Sequence, residues 1–137
     1  MKKLLASDKI YIKTSKISNA GRGVFAKCEI KKGEIIETCP IIKVSRHDTA
    51  NLNESVLTTY FFYFGKEKEQ LAVALGFGSI YNHSCKPNAK YKISKEEGII
   101  NFVALSDIKK EEEITFNYKS ENSKNNRPLW FEVGSSA

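Results

Sequence analysis

The chain has 137 residues, 41% of them apolar and 28% charged, which suffices for one domain with a buried core and is too ordinary a balance for wholesale disorder. Its 22 basic and 16 acidic residues leave a net charge of +6, but both signs are mixed along the whole length, so a solvated Lys-rich surface accounts for the charge and nucleic acid is not expected as a partner. The longest apolar runs, Tyr60 to Phe64 and Leu71 to Phe77, fall far short of the roughly 20 residues that cross a bilayer, so no membrane partner is expected either.

Taken in chain order, Lys2 and Lys3 precede only Leu4, Leu5 and Ala6, too little for the hydrophobic centre of a secretory signal. Cysteines 28, 39 and 85 are odd in number and widely spaced, which argues against a disulfide framework. Both features point to an intracellular, reducing location, cytoplasm or nucleus. "KIYIKTSKI" (9 to 17) alternates as a strand and ends at "SNAGRG" (18 to 23), whose two glycines mark a tight turn. "VFAKCEI" (24 to 30) follows, then the turn "KKGE" (31 to 34). The run "IIETCPIIKV" (35 to 44) reads as a strand in which Pro40 implies an edge or a break.

The polar stretch between Arg46 and Thr59 suggests a short helix leading into the strand around "YFFYF". "QLAVALG" (70 to 76) reads as a buried strand and "GFGSIYNHSCKPN" (76 to 88) as an irregular segment. "AKYKIS" and "GIINFVALSD" form a hairpin around "KEEG" (95 to 98). The expected fold is mainly β, a single domain over 1–137 with its core at about 9–119 and a polar tail at 120–137. One echo runs through it: "EIKKGEII" (29 to 36) and "DIKKEEEI" (107 to 114) share a frame at an offset of 78 residues, as two equivalent turns in two small sheets would. With no third copy, a solenoid is excluded.

The stretch "YNHSCKP" (81 to 87) crowds reactive groups and admits three readings. A structural zinc site needs four N or S ligands, and besides His83 and Cys85 the chain offers only His47, Cys28 and Cys39, none paired as CxxC, so no metal is expected. A Cys85 or Ser84 nucleophile with His83 as base lacks any recognisable third group or nucleophile elbow. The remaining reading is a bent segment whose backbone and carboxamides line a ligand cavity, with Gly76 and Gly78 permitting close approach of another chain or a ligand.

Residues "GFGSIYNHSCKPNA", followed about thirty residues later by "EEITFNY", resemble the signature of SET-domain protein lysine methyltransferases, closest to the compact viral and bacterial members. The earlier "GRGVFAKCEIKKGE" is similar to the first motif of that family, and the three stand in the family's order from Gly21 to Tyr118. This resemblance implies β-clip-like small sheets with a knot-like C-terminal threading, and an enzyme transferring methyl groups from S-adenosylmethionine to protein lysine, with histone H3 tails a plausible substrate. The other reading is a SET-fold module that binds peptide or cofactor without catalysis. A homodimer, and delivery into a host nucleus, are compatible with the resemblance.

Carried over residue by residue, the resemblance makes Tyr118 the catalytic phenol, Tyr60 and Phe116 walls of the lysine channel, and Gly21, Arg22, Gly23, Asn82 and His83 the cofactor site. Phe116 stands where the family has Phe or Tyr, and Phe implies di- or trimethylation. Without the motifs, Tyr60 and Tyr118 read as core tyrosines, Gly21 and Gly23 as a hairpin turn, and His83 as a core histidine bonded to backbone. Trp130 and Phe131 either cover the adenine or plug the sheet. Glu111 to Glu113 either attract a basic peptide or are a solvated run. Two departures stand out: the family's cysteine-rich zinc segment is missing after Tyr118, and Glu111 replaces a usual glycine.

Overall fold

The computed structural model describes residues 3–64 and 70–118. Its strands are β1 (Ile10–Thr14), β2 (Arg22–Ala26), β3 (Ile35–Val44), β4 (Phe61–Phe64), β5 (Gln70–Ala74), β6 (Asn82–His83), β7 (Ala89–Ser94), β8 (Ile99–Ala104) and β9 (Glu113–Phe116). Among the described residues they form two sheets, ordered β1-β2-β9-β6 and β4-β5-β3-β8-β7. The expected helix before "YFFYF" is α1 (Thr49–Asn53), set between 3-10 turns at Arg46–Asp48 and Val56–Thr59.

The repeated "IKK" turns are structurally equivalent and face each other. Ile30 and Ile108, both fully buried, exchange backbone hydrogen bonds of 2.9 and 2.7 Å. Around them the bonding is duplicated: Gly33 N donates to Ala104 O and Glu111 N to Ala26 O, while Ala104 N donates to Glu34 O and Ala26 N to Glu112 O. Glu34 and Glu112 each accept from the backbone N–H of the first Lys of their own turn, Lys31 and Lys109. Thus β2–turn–β3 and β8–turn–β9 are related by a local dyad, with β2 paired to β9 and β3 to β8. The strand expected over 24–30 stops at Ala26 because the chain must leave the sheet to bring Ile30 onto this axis.

Pro40 lies in a central strand, not at an edge but at a break, the other of the two positions expected. Strand β3 changes partner there: Ile35 to Pro40 pair with β8 and Ile41 to Val44 with β5. A residue without an N–H is tolerated at such a switch, where one ladder ends and the next begins. The same strand carries a buried carboxylate. Glu37, 7% exposed, accepts from Tyr81 Oη at 2.8 Å and from Phe77 N at 2.9 Å, and so ties β3 to the irregular segment 76–81.

The two glycines of that segment make room for β3 and for the end of β5. A Cβ on Gly76 would stand 2.7 Å from Glu37 Oε2, and one on Gly78 2.6 Å from the Ala74 Cβ. Burial, then the Glu37 charge, pushes the Cys39 thiol far above its ordinary range, so it stays protonated beneath Gly78. An aromatic layer of Phe62, Tyr81, Tyr91, Phe102 and Phe116 fills the space between the sheets, with Tyr81 and Phe102 stacked at 4.3 Å between centroids.

Glu111 occupies the left-handed region (φ 74°), as does its dyad mate Gly33 (φ 88°). A side chain there costs about 1 kcal/mol of backbone strain, set against one exposed hydrogen bond from Tyr11 Oη. Glu111→Gly is therefore expected to raise the thermal midpoint by a few degrees, measured by calorimetry, whereas Gly33→Glu should lower it.

Candidate functional site

The site is assembled where two stretches distant in sequence run side by side. Strand β6 pairs in parallel with β9, Asn82 opposite Thr115 and His83 opposite Phe116, and Ser84 N continues the ladder to Phe116 O. Asn88 reinforces the junction in the manner of a backbone group. Its Nδ2 donates to Glu113 O at 2.8 Å and to Glu112 Oε2 at 3.0 Å, and its Oδ1 accepts from Thr115 N at 2.9 Å. Asn88 stands out in the sequence only as the last residue of the irregular segment 76 to 88, and nothing local signals this role.

Tyr118 lies just beyond the end of β9, not on it. Its position is set by hydrogen bonds instead: its N–H donates to His83 Nδ1 at 3.0 Å and its phenol to Tyr81 O at 2.7 Å. An acceptor role at Nδ1 places the proton of a neutral His83 on Nε2, which faces Cys85 Sγ at 3.7 Å. The Tyr118 ring packs against Phe116 and His83 with centroids 5.1 and 5.2 Å away. Burial above all, then the neighbourhoods of Tyr60 and Glu113, raises the Tyr118 phenol well above its ordinary value, so it stays protonated at neutral pH.

Tyr60 is 37% exposed and closes the second 3-10 turn immediately before β4; it is not on the strand, and it contributes to the upward shift of the Tyr118 phenol. Phe116, 5% exposed, belongs to the aromatic layer. His83 is buried and bonded to the main chain of Tyr118. On the opposite side, Asn82 Nδ2 donates to Arg22 O at 3.0 Å and to Glu113 Oε2 at 2.8 Å, bringing Asn82 against the glycine-flanked start of β2.

The two glycines there have different reasons. Gly21 is left-handed (φ 73°) with nothing within 4 Å of the position a Cβ would take, so its backbone is open to a ligand. Gly23 lies inside β2, where a Cβ would be 2.4 Å from Glu113 Oε2 and 3.0 Å from Asn82 Nδ2. Tyr118, Phe116, Tyr60, His83, Asn82, Arg22, Gly21 and Gly23 are thus gathered around one junction, while Trp130 and Phe131 lie outside the described residues. The three acids are not a merely solvated run: Glu111 engages Tyr11, Glu112 engages Lys109 N and Asn88, and Glu113 engages Ser15 and Asn82.

The phenols of Tyr81 and Tyr118 are both raised in the fold, Tyr81 by burial and then by Glu37. The folded state therefore holds these protons more tightly than the unfolded chain does. The stability they confer is complete below about pH 10 and is lost as pH rises through the folded values. Tyr81→Phe removes a donor from the buried Glu37 carboxylate, costing about 1–3 kcal/mol at neutral pH, but its denaturation free energy should fall less steeply above about pH 10 than that of the wild type.

A family model for the SET domain matches residues 21–119. The chain is 33% identical over 113 residues to a Schizosaccharomyces pombe histone-lysine N-methyltransferase specific for H3 lysine 37, covering 82% of this chain and 71% of that protein. Other curated relatives are much longer, the match covering 9% of one of them. Among solved structures, a Plasmodium falciparum protein described as a histone methyltransferase superposes with a TM-score of 0.67 at 35% identity over 85% of this chain and 97% of that one. A chain of the Chaetomium thermophilum Polycomb Repressive Complex 2, bound to S-adenosylmethionine, gives a TM-score of 0.71 at 26% identity over 88% of this chain and 16% of that one. The parallel junction of 82–84 with 115–118, the open glycine turn beside it and the match over residues 21–119 lead to one conclusion: the chain belongs to the SET domain family and is a protein-lysine N-methyltransferase.

Proposed function

We propose that the chain methylates a lysine of a protein tail, histone H3 being the substrate class suggested by the names of its relatives, with S-adenosylmethionine as donor. The observation that carries this reading is the hydrogen bond from the Tyr118 phenol to Tyr81 O, one residue before Asn82, which joins the proposed lysine end of the site to the proposed cofactor end.

The residues present suit the donor. Open backbone at Gly21 stands beside the Asn82 carboxamide at the start of β2, where Arg22 contributes main chain and His83 holds the neighbouring strand. Bound there, S-adenosylmethionine supplies a methyl group on a sulfonium sulfur, and each transfer breaks that S–C bond as an N–C bond forms to lysine.

Tyr118 has two tasks. A phenol that donates to Tyr81 O can only accept from a further group, so it holds an incoming amine by its N–H and aims the lone pair along the line of displacement. Because its proton is held above the neutral range, Tyr118 is not the base; the amine gives its proton to water before attack. Desolvation against Phe116 and Tyr60 lowers the amine pKa from its free value of about 10.4, and the aromatic faces favour the methylammonium that develops. With Phe rather than Tyr at 116, no hydroxyl occupies the space needed by an amine already carrying methyl groups.

Tyr118→Phe is expected to lower kcat by about a hundredfold or more while cofactor affinity, measured calorimetrically, stays within a few fold. Retained turnover on an accepted peptide would defeat the assignment. In mass spectra of a lysine peptide pool incubated with the donor, the wild type should add two or three methyl groups to one residue, and Phe116→Tyr should shift the products toward a single addition.

A further inference from the structure

Glu113 is a carboxylate whose two oxygens are both engaged by neutral donors. Its Oε1 accepts from the Ser15 hydroxyl at 2.7 Å and its Oε2 from Asn82 Nδ2 at 2.8 Å. Oε2 also lies against the bare backbone of Gly23, 2.4 Å from where a Cβ would stand. Ser15 belongs to the same turn, its N–H donating to Gly21 O at 2.8 Å. The ion pairs among the described residues are Lys9 with Glu34 and Lys31 with Glu29, and neither includes Glu113. One half-buried carboxylate, met among the described residues by hydroxyl and amide dipoles, therefore borders the glycine turn and the asparagine that we assign to the cofactor. Since Nδ2 of Asn82 is directed to Arg22 O and Glu113, the side of this carboxamide turned to a ligand is its oxygen, a second feature suited to positive charge.

We propose that Glu113 is a specificity residue of the cofactor site, favouring the sulfonium donor over the thioether left after transfer; the proposal rests on the cofactor reading given above. The two molecules share their nucleoside and amino-acid parts and differ by one methyl group and one positive charge. A fixed carboxylate acts also on the charges that both molecules share, but those contributions cancel in the ratio of their affinities and the sulfonium remains. At several ångströms through an intermediate dielectric, the attraction corresponds to roughly a tenfold difference in binding. Its consequence is turnover in a mixture of both ligands, because the charged donor displaces spent product from the site.

The test is calorimetric titration of S-adenosylmethionine and S-adenosylhomocysteine into the wild type, Glu113→Gln and Ser15→Ala, each first checked for a cooperative melt. Glu113→Gln should weaken the sulfonium ligand about tenfold more than the thioether, whereas Ser15→Ala, which keeps the charge, should change their ratio by less than about twofold. An equal loss for both ligands, or none, overturns the proposal and leaves Glu113 a tether. Failure of the wild type to bind either ligand overturns the cofactor reading and this inference with it. Should Glu113→Gln not fold, the wild type decides: raising salt from about 0.05 M to about 1 M should lower the ratio of sulfonium to thioether affinity, and a constant ratio overturns the proposal.

Discussion

The pairing of two short segments, 82–84 with 115–118, is the constraint on which the rest of the structure depends. Parallel strands cannot be joined by a tight turn, so the chain must travel out and back between them, here through the β7–β8 hairpin and the second "IKK" turn. A ladder of two residues is weak by itself. It persists because Asn88 supplies side-chain bonds where a strand would supply backbone ones, and because Ile114 and Phe116 on β9 are buried on the core side. The pairing makes neighbours of Tyr81, Asn82, His83 and Tyr118, and the chemistry of the site follows from that adjacency.

A second layer of support comes from inside the core. Glu37 grips the hydroxyl of Tyr81, and the carbonyl of the same residue receives the phenol of Tyr118. A buried carboxylate is expensive unless its bonds are made, and the donors from Tyr81 and Phe77 offset that cost. In return the irregular segment 76–81, which has no strand of its own, is held against β3. Gly76 and Gly78 are needed for this approach, so of the two uses read for these glycines, another chain or a ligand, the described structure shows chain packing.

The local dyad around Ile30 and Ile108 joins the two sheets by a symmetric device. It places β2, with its glycine-flanked start, beside β9, with its acids, and this brings Glu113 to Gly23 and Asn82. The acidic run after Lys110 is thereby divided among three tasks: a left-handed turn residue, a turn cap shared with Asn88, and a carboxylate at the proposed cofactor site.

Much was legible in the sequence because it is local. Alternating apolar residues and turn signals define most strands, the helix before "YFFYF" follows from composition, and the ordered motifs around Gly21, Asn82 and Tyr118 identify the family and its reaction. The matching "IKK" turns also stand in the sequence, although their meaning as a dyad needs Ile30 and Ile108 to meet. Other features depend on which segment lies across from which, and no local pattern carries that. Only tertiary structure decides that Pro40 can sit in a central strand, that Glu37 is buried, that Asn88 acts as a strand partner, and that Tyr118 is aimed by Tyr81 and His83 rather than by strand alternation. Propensity and spacing are properties of neighbours along the chain, whereas hydrogen-bond partners and desolvation are properties of neighbours in space.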